Sequence, residues 1–191
     1  MLYHVSKISG LKILKPHISS HKKAYVYAIE NMVTGLLFGA QKDDFDMIIL
    51  TDNNGISSVY ECYPDAFKNI YQGKSCSVYQ VSEDGFQRGM TSWSPELVCE
   101  NEVKVQKEIV VDNLYKKLLE EEEAGNLKIY RYEFNDEYRR KVASHIVDRL
   151  IRFQIDLDTC MESDIRFSIY YKNLILSLKR IMDGHLLQWF L

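Results

Sequence analysis

The chain has few of the features that divide a protein into separate modules or attach it to a membrane. Its 191 residues include only three prolines and nine glycines, and no Ser/Gly/Pro-rich linker interrupts them. No apolar run reaches the ~18 residues that a membrane-spanning helix needs, so we expect no membrane contact. The first residues lack the basic-then-apolar order of a signal peptide, and we therefore expect a cytoplasmic protein.

Several motifs that carry well-known chemistry are also missing. The four cysteines, Cys62, Cys76, Cys99 and Cys160, lie far apart and form no Cys-x-x-Cys pair. The sequence contains no Gly-x-Gly-x-x-Gly, no P-loop and no Gly-x-Ser-x-Gly, which removes motif support for Rossmann, phosphoryl-transfer and serine-hydrolase sites. His17 and His21 are four residues apart, but Pro16 and two serines indicate a loop, and we predict no metal site.

The charge pattern argues against nucleic acid as the main partner. The formal net charge is −3, and Glu120 to Glu123 form an acidic run. Sequence-independent binding to nucleic acid depends on basic residues that replace the counterions of the phosphate backbone. The basic residues Arg139 to Lys141, Arg149 and Arg152 lie on an amphipathic helical segment, where we expect them to form the solvated rim of its apolar stripe.

The hydrophobic pattern changes character near residue 112. Before it, short β-branched and aromatic runs alternate with turn signals, as is typical of strands, and after it the apolar period is helical. The predicted strands are Leu2–Val5, Ala24–Ala28, Phe45–Thr51, Ser57–Cys62, Ser77–Val81 and at least one within 97–111. The predicted helices are 30–40, 65–71, 113–123 with an Asp112 N-cap, 136–157 and 163–187. These elements predict an α+β fold, with an α+β domain over 1–125 and a C-terminal helical extension over 126–191.

The two long C-terminal helices each carry an apolar stripe at steps of three and four residues. The first stripe consists of Tyr138, Val142, Ile146, Leu150 and Phe153, and the second of Ile165, Ile169, Leu174, Leu178, Ile181 and Met182. We expect the two helices to form a hairpin that buries these stripes.

The first forty residues place polar and aromatic side chains in a distinctive order. His4 lies in the first predicted strand and is followed by Val5 and Ser6. The strand Ala24–Ala28 then puts its two tyrosines, Tyr25 and Tyr27, on one face, because strand side chains alternate. The helix that follows has a second aromatic, Phe38, near its end.

Three carboxylates lie farther along the chain, around another predicted strand. Glu96 heads this strand, and Glu100 and Glu102 share its face if the strand is regular. Trp93 lies just before it.

This order resembles the ADP-ribosyltransferase superfamily, which includes diphtheria-type toxins, poly(ADP-ribose) polymerases and rifamycin-modifying transferases. Its members open with a strand reading His-Gly-Ser/Thr, to which Tyr3-His4-Val5-Ser6 is similar. They continue with a strand of the Gly-Ile-Tyr-Phe-Ala kind, which Ala24–Ala28 resembles, and they close with a glutamate at the head of a late strand. Small bacterial proteins share the opening. The resemblance covers residues 1 to about 111 and implies an ADP-ribosyltransferase-like split β core with an NAD cleft.

The resemblance also implies roles for individual residues. The implied cofactor-binding residues are His4, Val5, Ser6, Tyr25, Tyr27 and Phe38. The histidine would hydrogen-bond ribose hydroxyls, the Val5 backbone would meet the nicotinamide amide, and Tyr27 and Phe38 would sandwich the nicotinamide ring. The usual glycine after the histidine is Val5 here, and a one-residue shift would align Leu37 in place of Phe38.

The catalytic carboxylate implied by the resemblance has two candidates. Glu96 heads its strand as in the polymerase-like members, and we favour it, whereas Glu102 ends a Glu-x-Glu similar to that of arginine-modifying members. The glutamate would hold the ribose 2′-hydroxyl and stabilise an oxocarbenium-like transition state while ADP-ribose passes from the substrate NAD to an unknown acceptor. Preorganised charge of this kind lowers the barrier most when it faces the developing charge.

Two other interpretations stay open. The chain is alternatively a non-catalytic interaction module with a degenerate NAD cleft, acting or forming a homodimer through its C-terminal helices. The apolar and aromatic ending Leu186 to Leu191 favours this interpretation, since exposed apolar patches attract partners. The other alternative, metal- or cysteine-based hydrolysis, has no local signature around any cysteine.

Overall fold

A computed structural model describes residues 1–18, 23–43, 45–91, 93–153, 156 and 165–189. The fold is mixed α+β, with several antiparallel sheets and C-terminal helices, as predicted. The strands are β1 Leu2–Ser6, β2 Ile13–Leu14, β3 His17–Ile18, β4 Ala24–Ile29, β5 Met47–Thr51, β6 Ser57–Glu61, β7 Cys76–Val81, β8 Gln87–Arg88, β9 Glu96–Cys99, β10 Val103–Lys104, β11 Lys107–Val111 and β12 Leu127–Tyr130. The helices are α1 Met32–Leu36, α2 Ala66–Tyr71, α3 Leu114–Glu123, α4 Asp136–Phe153, α5 Ile165–Tyr170 and α6 Lys172–Trp189. None of the helices in these ranges is long and apolar enough to cross a membrane.

The described residues form two compact units. The first unit consists of residues 1–42, 50–58 and 68–129, and the second of residues 43–49, 59–67 and 130–191. Neither unit is a continuous segment of the chain. A separate three-stranded sheet has the order β12–β6–β5.

The first unit is built on a seven-stranded sheet. Six of its strands follow the order β11–β7–β1–β4–β9–β8, and the seventh, β3, pairs with β4. Every pairing in this sheet is antiparallel. The short strands β10 and β2 form a separate pair. The prediction of a loop at His17 was wrong, because His17–Ile18 pairs with β4.

Apolar side chains from the central strands fill the core of the first unit. This core includes Leu2, Leu14, Val26, Ala28, Tyr79, Val81, Leu97, Cys99 and Val103. Behind the sheet, Gly39 allows a close approach, since a Cβ there would lie 2.8 Å from Cys76 Sγ and 2.9 Å from Leu114 Cδ2. The N-cap of α3 is Asn113 and not Asp112, because Asn113 Oδ1 accepts the Lys116 backbone N–H.

Two predicted helices are shorter than the sequence pattern indicates. The helix predicted over residues 30–40 is limited to α1, where Asn31 caps the first turn and the chain leaves helical hydrogen bonding after Leu36. The helix predicted over 163–187 divides into α5 and α6 at Tyr171, and its residues 163 and 164 lie outside the described part.

In the second unit, α4 packs against α6. The predicted stripe of α4 is confirmed for Tyr138, Val142, Ile146 and Leu150, which are all buried. The stripe predicted on α5 is wrong, because Ile165 and Ile169 are 73% and 62% exposed. Tyr171 and Ile175 are buried instead, so the helix face that packs is not the predicted one.

Several buried polar groups of the second unit hydrogen-bond within the protein. The carboxylate of Glu61 accepts the backbone N–H groups of Phe67 and Tyr132, each at 2.8 Å. The Tyr138 hydroxyl lies 3.0 Å from the carbonyl oxygens of both Glu61 and Tyr130. The ring of Tyr60 stacks on that of Tyr130, with centroids 4.4 Å apart.

An ion-pair cluster holds α5 in the second unit. Asp46 is only 3% exposed, and its carboxylate accepts hydrogen bonds from the Arg166 guanidinium at 2.5 Å and from the Tyr63 hydroxyl at 2.9 Å. Arg166 also pairs with Asp43. A buried carboxylate of this kind is stable as an ion only because donors and an opposite charge surround it.

Candidate functional site

The first unit contains an open cavity of about 350 Å³ beside its central strands. The residues that line it are Tyr3, His4, Val5, His17, Tyr27, Ala28, Ile29, Gly35, Phe38, Trp93 and Glu96. They come from β1, β3, β4, α1 and the start of β9. Strand pairing thus brings together residues that are widely separated along the chain.

The register of three adjacent strands fixes the position of Glu96. Tyr3 of β1 lies opposite Ile29 of β4, and Ile29 lies opposite Glu96 of β9. The three residues therefore form one row across the sheet. This row explains why a carboxylate distant in sequence lines the same cavity as the first strand.

His4 is held in a defined orientation by the backbone of the neighbouring strand. Its Nδ1 lies 2.7 Å from the carbonyl oxygen of Tyr27. Because a carbonyl can only accept, Nδ1 carries the proton. Burial lowers the pKa of His4, the bond to Tyr27 opposes that shift, and nearby His17 adds to it. His4 is therefore neutral near pH 7, and its Nε2 is a hydrogen-bond acceptor.

Two groups of aromatic rings border the cavity. The Tyr27 ring contacts Tyr25 edge-on at 5.9 Å and His17 at 5.7 Å between centroids. Phe38, which is 42% exposed, contacts Trp93 at 5.2 Å. The Tyr27 and Phe38 pair that the sequence suggested thus lines one cavity, and Trp93 extends its aromatic surface.

The structure separates the three carboxylates that the sequence placed on one strand face. Glu96 begins β9 and lines the cavity, but β9 ends at Cys99. Glu100 and Glu102 lie beyond that end, so the prediction of a shared face was wrong. Glu100 pairs with Lys23 at 2.6 Å and Glu102 with Lys15 at 3.6 Å, and neither lines the cavity.

The other suggested residues divide between the cavity and its surroundings. Val5 lines the cavity, whereas Ser6 does not, and the Ser6 hydroxyl accepts the backbone N–H of Ile8. Tyr25 is buried in the core, with its ring against Tyr27. Leu37, the alternative to Phe38, is fully buried and does not line the cavity.

Sequence reasoning did not assign His17 and Tyr3 to this site. His17 lies in a two-residue strand, too short to produce an alternating pattern. Tyr3 belongs to the sequence motif only as the neighbour of His4. The available signal for both was strand pairing, which a single sequence does not specify.

The lining has an unusual charge balance for a nucleotide site. Among the described residues that line the cavity, Glu96 is the one carboxylate and none is lysine or arginine. The remaining surface is largely aromatic and aliphatic. Aromatic faces and a carboxylate together attract a flat cation.

A second cavity of the first unit, of about 290 Å³, is more polar. It shares Ile29 with the first cavity, and Ser94 and Pro95 lie on its lining just before Glu96. Its Asn31 side chain already caps α1 and donates to the Gly55 carbonyl. Much of its polar surface is thus committed to holding the fold.

Other chemistries find little support in the part of the chain that the structure describes. No group of histidine, cysteine or acidic residues there could hold a metal ion. Cys62, Cys76 and Cys99 are buried and free, and burial raises the pKa of Cys62 and raises that of Cys76 to about 11. A thiol with a raised pKa is a poor nucleophile because the thiolate is the reactive form. Cys160 and His21 lie outside the described residues.

The chain matches no protein-family model, no curated protein and no solved structure. No relative therefore transfers a function to these residues. A function for this chain must be inferred from the cavity and the side chains that line it.

Proposed function

We propose that the chain is an NAD-dependent ADP-ribosyltransferase whose first unit has the ADP-ribosyltransferase-like split β core. The observation that carries this proposal is the single cavity that His4, Tyr27, Phe38 and Glu96 line together. These are the residue types, in the chain order, of the family that the sequence resembles. Their meeting in one cavity is what a shared NAD site requires.

The charge of the cavity also supports this proposal. The nicotinamide ring of NAD is a flat pyridinium cation, and it becomes neutral in the reduced form. The rings of Tyr27, Phe38 and Trp93 with the carboxylate of Glu96 suit a flat cation. We therefore expect NAD to bind more tightly than its reduced form.

Each polar group has a chemical task in this proposal. The bond between the nicotinamide nitrogen and ribose C1′ breaks, and nicotinamide leaves with the electron pair as a neutral molecule. Nε2 of His4 accepts a hydrogen bond from a ribose hydroxyl and thereby fixes the position of the ribose. The Glu96 carboxylate accepts a hydrogen bond from the ribose 2′-hydroxyl, and its negative charge stabilises the positive charge that develops on the ribose ring.

The second half of the reaction joins ADP-ribose to an acceptor. A nucleophilic atom of the acceptor attacks C1′, forms the new bond and releases its proton to solvent or to a nearby base. Water in the place of the acceptor gives hydrolysis of NAD. Nicotinamide release reports both reactions, because both break the same bond.

The test is a calorimetric titration of NAD into the wild-type protein and into His4→Ala. We expect saturable binding that the substitution weakens by about tenfold or more, since a buried hydrogen-bond acceptor is lost. His145→Ala is the matched control, because His145 lies on α4 and does not line the cavity. It should bind NAD as the wild type does.

Two results would overturn the proposal. One is the absence of NAD binding up to millimolar concentration in a folded sample. The other is equal binding by the wild type and His4→Ala. Binding without any nicotinamide release would retain an NAD site but remove the transferase activity.

A second candidate function is an interaction module that forms a homodimer through the C-terminal helices. The observation that favours it is the exposure of Ile165 and Ile169, which lie four residues apart on one face of α5. Sedimentation velocity over a wide concentration range tests it. A double variant, Ile165→Ser with Ile169→Ser, should be monomeric at concentrations where the wild type dimerises, and a monomeric wild type would remove this function.

A further inference from the structure

The two histidines of the cavity differ in exposure and in bonding. His4 is half-buried, with Nδ1 bonded to the Tyr27 carbonyl, whereas His17 lies exposed in strand β3. The ring of His17 contacts the same tyrosine edge-on, at an interplanar angle of 62°. His17 therefore borders the part of the cavity that meets solvent.

The nicotinamide and the pyrophosphate of an NAD molecule have opposite requirements. Its nicotinamide end is flat and gains from contact with the aromatic rings, whereas its pyrophosphate is strongly negative. Moving a charged phosphate out of water is costly unless donors or cations replace its hydration. The pyrophosphate should thus lie at the exposed part of the cavity, close to a group that can donate to it.

The lining offers neutral donors at Tyr3, Tyr27 and Trp93, but a donor that can also carry a positive charge is rarer. The described lining residues include no lysine or arginine, so the two histidines are the ones that can carry a positive charge. Burial favours the neutral form of His4, and its Nδ1 proton is already donated to the Tyr27 carbonyl. His17 instead lies exposed in β3, at the part of the cavity that meets solvent.

We infer that His17 donates an N–H to the pyrophosphate of NAD and, more generally, to the diphosphate of ADP-ribose-containing ligands. The inference rests on the proposed NAD site and assigns the position of the pyrophosphate within it. A hydrogen bond between a nitrogen donor and a charged phosphate is stronger than one between neutral groups. His17 thereby distinguishes dinucleotides from ligands that offer only a pyridinium ring.

A neighbouring cation provides the competing explanation. Lys42 Nζ lies 4.0 Å from the centroid of the Phe38 ring, yet Lys42 is not among the residues that line the cavity. Its ammonium group already faces an aromatic ring, which stabilises it there. Lys42→Met is therefore the control that removes a nearby positive charge without changing the lining.

The experiment uses two probes that each carry one part of NAD. ADP-ribose has the diphosphate without nicotinamide, and 1-methylnicotinamide, methylated at the ring nitrogen, has the pyridinium ring without phosphate. Calorimetry measures both with the wild type, His17→Phe, His17→Arg and Lys42→Met. Phenylalanine retains a ring against Tyr27 but removes the donor, whereas arginine retains a donor and a charge. His17→Ala repeats the comparison if the phenylalanine variant fails to fold.

We expect His17→Phe to weaken ADP-ribose binding by about tenfold and to leave 1-methylnicotinamide binding unchanged. His17→Arg should bind ADP-ribose at least as tightly as the wild type, and Lys42→Met should bind both probes normally. Equal loss of both probes in His17→Phe, no loss of ADP-ribose, or a loss confined to Lys42→Met would each overturn the inference. Binding of ADP-ribose that depends on His17, without nicotinamide release from NAD, would support the phosphate contact and overturn the transferase.

Discussion

The two units of the protein use similar residue types for different purposes. In the second unit, Tyr138, Glu61 and Asp46 hydrogen-bond to other side chains or to the backbone. In the first unit, Tyr27 and Glu96 line an open cavity. A tyrosine or glutamate in a sequence is thus no sign of a site until its neighbours are known. The comparison predicts that substitutions in the second unit cost stability, whereas substitutions in the cavity cost function.

The largest expected effect is on stability, at the ion pair of the second unit. Arg166→Met leaves the buried carboxylate of Asp46 without its cation, and we expect unfolding to become easier by about 3 kcal/mol. Urea denaturation measures this change, and NAD affinity should not move. Arg88→Met is the control, since its partner Glu30 is exposed and an exposed pair contributes about 0–1 kcal/mol. Equal losses from the two variants would contradict the prediction.

The next effect is on catalysis, at the cavity of the first unit. Glu96→Gln should lower nicotinamide release by about 100-fold, because its charge acts mainly in the transition state. Urea denaturation should stay close to that of the wild type, and NAD affinity should fall far less than nicotinamide release does. Glu102→Gln, which removes an exposed carboxylate outside the cavity, should release nicotinamide normally. A large loss in Glu102→Gln with none in Glu96→Gln would reverse the assignment.

A smaller effect shows that the first unit also has tightly packed positions. Gly39→Ala would place a Cβ within 3 Å of Cys76 Sγ and Leu114 Cδ2, so these side chains must move. We expect a loss of about 1–2 kcal/mol in the free energy of unfolding. NAD binding should be retained, since Gly39 does not line the cavity. An unchanged unfolding midpoint would show that the packing there is looser than the distances indicate.

The smallest effect concerns pH, and both units contribute to it. Burial lowers the pKa of His4 in the first unit and of His145 in the second. The unfolded chain therefore takes up protons first as the pH falls, and stability is complete above about pH 6.5 and declines below it. The difference in proton uptake between the unfolded and the folded chain is less than one proton per histidine. It saturates once the folded protein is also protonated.

Paired variants separate the two contributions. His145→Gln should flatten the pH dependence of the thermal midpoint between pH 5 and 8 without altering the pH dependence of NAD affinity. His4→Gln should alter both, since only a neutral His4 can accept a ribose hydroxyl. If the two variants change NAD binding in the same way, the role given to His4 is wrong.

Local patterns in the sequence predicted much of the fold. Alternating and β-branched runs located β1, β4 and β7, and the period of three and four residues identified α3 and the buried face of α4. The exposed face of α5 was missed because helical spacing alone does not determine which face finds a partner. The end of β9 at Cys99 was missed because an alternating pattern does not show where pairing stops.

The candidate site was predictable only in part, for a related reason. His4 and Tyr27 could be suggested from a motif and its order, yet their hydrogen bond depends on the pairing of β1 with β4. The sequence favoured Glu96 over Glu102 by resemblance, but only the register of β9 places Glu96 beside the cavity. His17 had no pattern of its own. The remaining positions of the site depend on long-range strand pairing, which no short stretch of residues encodes.

The row formed by Tyr3, Ile29 and Glu96 has a consequence for how such a protein can change. Cross-strand hydrogen bonds set the position of the carboxylate, so the length of chain between β4 and β9 does not. Insertions or deletions in the connecting segments can accumulate while the three residues stay in line. Relatives of this protein could therefore share a site and differ greatly in length, and a search that requires fixed spacing would pass over them.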